Sequence, residues 1–288
     1  MKSYGFTLIE VMVTVAILAI LAGMLVPSVF RILEQTEIET TRQRMVALKT
    51  AMVGDPRLVQ NGIRTDFGFV GDNGELPATL DGLVSPPVGY PSWRGPYLTD
   101  SDPAQISLDA WQSTLRYQPT ADALGRLVSA TLASAGPDQL WGTADDLDAT
   151  SVPEAQIALA EVTPTDQIEG NVNFVFSAAT DVTPAYWTKV TVAYREASGD
   201  FTTSTGCFPV VAGEVAAGVP KTVAQNFGES LPLRLPIGRV LLQSSLFADG
   251  DCLTLPAGST PAPALAYFLR GGESALSINL PAIHYRIN

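Results

Sequence analysis

Three groups of residues in this sequence have types and spacings suited to chemistry. The first is Glu10, a single carboxylate directly ahead of the uncharged run Val11–Phe30. About twenty residues at ~1.5 Å rise span ~30 Å, the thickness of a bilayer core. A charge at the edge of such a run is costly and calls for a counter-charge. The second group is acidic. Ser134–Asp148 gathers Asp138, Asp145, Asp146 and Asp148 with no Lys or Arg among them. Carboxylates this close repel unless they are solvated or bridged by a cation, and calcium takes roughly six to eight oxygens at about 2.3–2.6 Å. Gly142 permits a sharp turn, although the spacing is not that of an EF-hand. The third group is Cys207 and Cys252, the only two cysteines. They form no Cys-x-x-Cys pattern. In an oxidising compartment they are expected to form a disulfide, which by chain entropy contributes ~4 kcal/mol.

Other chemistry is missing. The one histidine, His284, lies between Ile283 and Tyr285 and reads as a strand residue. No nucleophile elbow, phosphate-binding Gly-Lys loop or His-Glu-x-x-His helix occurs. Asp145 and Asp146 are adjacent, so they cannot flank a glycosidic bond. The sequence therefore gives an enzyme no nucleophile or base. A net charge of -12 argues against nucleic acid, which is bound by neutralising phosphates.

Gly5-Phe6-Thr7-Leu8-Ile9-Glu10 followed by an apolar helix resembles the class III signal of type IV pilins and type II secretion pseudopilins. The resemblance covers roughly residues 1–54. It implies cleavage between Gly5 and Phe6 by a prepilin peptidase, which also N-methylates the new terminus. It further implies that Glu10 pairs with the terminal ammonium on Phe6 of a neighbouring subunit, fixing register. The implied course is a single pass of the inner membrane with a periplasmic head, then a filament of this and other pilin-like subunits. The acidic segment is similar to the calcium loop of major pseudopilins, with Asp138, Asp145 and Asp146 as side-chain ligands. Trp93-Arg94-Gly95-Pro96-Tyr97-Leu98 and Asp109-Ala110-Trp111 look like the same family's core, though at longer spacing. The residues themselves read as aromatic packing with one cation–π contact.

These groups must be positioned by a long stem. Beyond Phe30, Ile32, Leu33, Ile38, Met45, Val46, Leu48, Met52 and Val53 recur at near-helical spacing among charges. Pro27 is expected to bend the helix, and Gly54-Asp55-Pro56 to stop it. The expected order is a leader at 1–5, a transmembrane and stem helix at 6–54, a head at 55–153 and a β-rich domain at 154–288. Turn signals such as Gly71-Asp72-Asn73-Gly74 divide the head. Runs such as Asn171–Phe176, Lys189–Arg195, Arg239–Leu242, Ser277–Leu280 and Ile283–Ile287 read as short strands of an antiparallel sandwich. The fold class is α+β. The reading that follows is a filament subunit; the second reading is a minor, tip-located pilin whose C-terminal domain binds a surface or partner.

Overall fold

Thr7 starts the longest element. The computed structural model describes residues 7–98 and 105–287, with no side-chain description at 24–28 and 232–233. Helix α1 runs Leu8–Val53. Thr7 is extended and caps it; at the other end Gly54 sits at φ 78°, its N–H donating to the Thr50 carbonyl. The helical backbone is continuous across Pro27, where a bend is expected and whose side chain lies outside those described. Gly5 and Phe6 also lie outside the described residues.

The C-terminal third of α1 is what docks. Thr41, Met45, Leu48 and Met52 recur every three or four residues and are buried. Met45, Leu48 and Met52 share one buried cluster with Phe69 and Val70 from helix α2 (Gly68–Asn73) and Leu132 from the hairpin β3 (Arg116–Ala121)–β4 (Leu127–Ala133). A two-residue hairpin precedes α2, β1 (Val59–Gln60) with β2 (Ile63–Arg64). This first core does not stop at residue 153. Ala155, Ile157 and Val162, the last on the short helix α3 (Leu159–Val162), belong to it, as does Ile237 from further along.

From Thr165 on, the chain is mostly β. One sheet has the order β11 (Leu265–Leu269), β10 (Gly238–Phe247), β6 (Tyr186–Glu196), β7 (Gly199–Ser204), with β8 (Phe208–Val210) also on β6. The other has the order β12 (Ala275–Ile287), β5 (Thr165–Ala178), β9 (Lys221–Leu235). Phe174 and Phe176 from β5, Val190 and Val192 from β6, Leu242 from β10 and Leu276 from β12 share one buried cluster. Among the described sheet pairs one departs from the antiparallel expectation: β12 runs parallel to β5. The antiparallel side of β5 is taken by β9. β12 follows β11 of the other sheet and fills the remaining edge, and such a crossover lets strands pair in parallel.

Three segments differ from the expected pattern. The runs Ser277–Leu280 and Ile283–Ile287 are one strand, with the register shift falling between Leu280 and Ile283. Pro281, which has no N–H to give a ladder, explains the break in the sequence pattern. β9 was not expected, because Asn226 and Gly228 interrupt its apolar alternation. The cation–π contact expected around Arg94 instead joins Arg64 to Phe67 and Arg116 to Trp141. Arg94 lies 3.8 Å from Asp72, and Trp93 meets Tyr97 edge-on.

The β region rests on the head through two close backbone approaches. Gly74 caps α2 in the left-handed conformation, and a Cβ there would lie 2.0 Å from the Arg195 carbonyl of β6. At Gly238, φ 111°, a Cβ would lie 3.2 Å from the Cα of Gly71. Phe67 also stacks on Phe268, centroids 6.2 Å apart.

Candidate assembly site and acidic loop

The local sequence Thr7-Leu8-Ile9-Glu10 builds a capping box. The Thr7 hydroxyl accepts the Glu10 N–H at 3.4 Å, and Glu10 Oε2 accepts the Thr7 N–H at 3.4 Å. Both bonds are long, at the weak end of the range. Glu10 is exposed, so its carboxylate sits at the helix start only loosely held. The role of Thr7 was missed in the sequence, although the Thr-x-x-Glu spacing carries it.

Around Glu10 the helix shows apolar side chains on every side. Leu8 and Ile9 are 78% and 71% exposed, and Met12, Val15, Leu18, Ile20, Phe30 and Ile32 are exposed too. A helix apolar all round must be covered by something outside its own chain. Among the described residues no helix is long and apolar enough to cross a membrane. The expected span Val11–Phe30 includes residues 24–28, which lie outside the residues whose side chains are described.

Polar contacts fix the angle at which this stem leaves the head. Arg44 donates to the carbonyls of Leu108 and Asp109, the latter at 3.0 Å. Lys49 reaches the Gln156 carbonyl at 2.6 Å and Glu161 at 2.8 Å. Thr41 Oγ1 accepts the Ala110 N–H at 3.1 Å.

Asp109, fully buried, joins that contact to the acidic loop. It accepts the N–H groups of Trp111 and Ser113 at 3.0 and 2.8 Å and the Ser134 hydroxyl at 2.7 Å. The loop is closed at its base by the Ser134–Leu147 backbone pair, 2.8 and 2.9 Å. Gly136 is required there, because a Cβ would lie 2.3 Å from the Asp145 carbonyl.

Inside the loop, Asp138, Asp145 and Asp146 are brought together. Asp138 Oδ1 accepts the Leu140 N–H at 2.8 Å, Asp146 Oδ2 the Gly142 N–H at 2.9 Å, and Asp145 Oδ2 the Asp138 N–H at 3.2 Å. The Thr143 hydroxyl lies 3.4 Å from both Asp138 and Asp146. An all-oxygen donor set suits calcium in kind. In this arrangement the carboxylates face N–H groups, and among the described residues no three acidic, imidazole or thiol groups are placed to hold one ion.

Cys207 and Cys252 are bonded, their Cα atoms 5.8 Å apart, which ties the start of β8 to the turn after β10. Asp249 shapes that turn by accepting the N–H groups of Leu253 and Thr254 at 3.0 and 2.7 Å. His284 lies exposed on β12 beside Val175.

A capped apolar helix, projecting from an α+β head that grips only its last third, defines a pilin-like subunit. Residues 1–26 match the family described as "Prokaryotic N-terminal methylation motif". The chain is 30% identical over 149 residues to the type II secretion system core protein G of Pectobacterium carotovorum subsp. carotovorum, 51% of this chain and 83% of that protein. It is equally identical over 149 residues to the protein of that name from Aeromonas hydrophila, of which 91% is covered. The chain belongs to the pilin and pseudopilin family, on the side of the type II secretion core protein G. About half of it lies outside those matches. No solved structure matches the chain.

Proposed function

We propose that this protein is a structural subunit of a type II secretion pseudopilus, assembled through α1 after processing. The observation that carries the reading is the exposed, loosely capped Glu10 at the head of a helix apolar on every side. Removing the leader after Gly5 places a terminal ammonium on Phe6, close in sequence to Thr7. A neighbour's ammonium then competes with the weak capping bonds for Glu10, and inside an apolar bundle each ion requires the other. Before assembly the helix is held in the inner membrane with the head in the periplasm, where Cys207 and Cys252 stay oxidised. The relatives' names and the methylation motif support this reading; they lend nothing to the tip-adhesin reading.

Two finer readings belong to the same proposal. From Thr165 on, the chain forms a sandwich-like domain of mainly antiparallel strands added to the pseudopilin head, supported by the buried cluster common to both sheets. The loop of Asp138, Asp145 and Asp146 takes calcium after its carboxylates turn from their N–H partners, supported by its oxygen-only chemistry and its similarity to the major pseudopilin loop.

Processing is tested by mass spectrometry of the protein taken from the cell envelope. The expected species starts at Phe6 with a methylated amine, and Gly5→Val accumulates uncut. An assembled protein that keeps Met1 overturns the reading.

A further inference from the structure

Where α2, β6, β10 and β11 meet, a cleft of about 340 Å³ opens between the head and the β region. It is separate from α1 and from the acidic loop. Its charges are mostly answered. Arg94 lies 3.8 Å from Asp72, and Arg195 lies 3.0 Å from Asp200. Asp66 turns both carboxylate oxygens to backbone, accepting the N–H groups of Asp55 and Gly68 at 2.8 and 3.1 Å. Arg239 has neither a carboxylate nor a hydrogen-bond partner among the described residues. It is the cross-strand neighbour of Phe268, and Phe268 lies stacked on Phe67 at the cleft wall.

That pairing sets a free guanidinium fork beside an aromatic face, in a pocket with mixed polar and apolar walls. An arginine fork matches the two oxygens of a carboxylate, and the ring next to it offers a place for an apolar group. One unanswered positive charge suits a monoanion; a dianionic phosphate would meet Asp72 across the same space. We propose that this cleft binds a carboxylate carried on an apolar body, with Arg239 holding the carboxylate and Phe268 packing the body. A peptide C-terminus ending in an apolar residue and a free aromatic acid present the same chemistry. The site goes beyond the filament reading and does not depend on it.

The test is titration calorimetry on the full chain in detergent, with four probes: benzoate, benzamide, acetyl-Gly-Phe with a free C-terminus, and the same dipeptide as its amide. The carboxylates are expected to bind and the amides not. Arg239→Gln is expected to weaken carboxylate binding about tenfold or more, the scale of one charge-assisted hydrogen bond. Arg239→Lys, which keeps the charge and loses the fork, is expected to fall between the two. Arg239 is exposed, so melting without probe should be unchanged; if Arg239→Gln melts lower, Phe268→Leu, expected to weaken both acids, is read in its place. Tighter binding of the dipeptide acid identifies a peptide terminus as the occupant, and tighter benzoate a free acid. Absence of binding by both acids, equal binding of acid and amide, or wild-type affinity in these variants overturns the proposal. None of these readouts involves assembly.

Discussion

The Glu10 carboxylate is held by two 3.4 Å bonds, from the Thr7 N–H and the Thr7 hydroxyl, that a full charge would outcompete. Asp109 is the opposite case. Its carboxylate satisfies two N–H groups and a hydroxyl out of water, so Asp109→Ala should cost about 3 kcal/mol, read as a lower midpoint in chemical denaturation. A loss under ~0.5 kcal/mol would show that the loop and stem contact do not depend on it. The acidic loop gives a second prediction at this scale. The full chain should melt higher in calcium than in chelator, by up to ~2.7 kcal/mol at a free calcium a hundred times the dissociation constant. Asp145→Ala should remove the difference; equal melting of the wild type would leave the loop as a hydrogen-bonded turn. The pH dependence follows from other carboxyls. Backbone N–H groups of Thr150 and Ser151 hold Asp148 below the ordinary carboxylate range, and those of Leu253 and Thr254, with the Thr254 side chain, do so for Asp249. For a carboxyl depressed in the fold, stability is fully present above the unfolded pKa, near 3.8, and is lost as pH falls through the folded value. These groups predict flat stability near neutral pH and a decline below about 4. A decline that began near pH 6 would point to other groups.

At the scale of elements, the docked third of α1 does most of the holding. Met45 is fully buried against the head, so Met45→Ala should cost about 2–5 kcal/mol, while Met12→Ala on the exposed half should leave the head's melting unchanged. Equal effects at the two positions would contradict the division of the helix. The stem was legible in the sequence because an apolar run, a helical repeat and a Gly-Asp-Pro stop agree along one continuous segment. Glu10 and the cysteine pair were legible for a related reason: each is chemically conspicuous in its surroundings. β9 was hidden because its partners come from distant sequence and override the poor propensity of Asn226 and Gly228. Asp109 was hidden because burial, which gives it its role, leaves no mark on residue type. The parallel placement of β12 depends on which edge of β5 stays open, and that is a property of the assembled sheets.

For the whole molecule, the question is what covers the apolar half of α1. The folded head leaves it bare, and a net charge of -12 keeps the heads apart in solution without shielding the stems. Packing against other stems answers this and uses Glu10 as well, whereas a monomeric anchor leaves the carboxylate with nothing to do. The most direct test is the yield of Glu10→Val in filaments sheared from cells that make the remaining subunits. Valine makes the helix more apolar, so the variant should reach the membrane at wild-type level. The variant should then fail to enter filaments, or enter at a small fraction of wild type. Filaments of Glu10→Val at normal yield would contradict this role of Glu10.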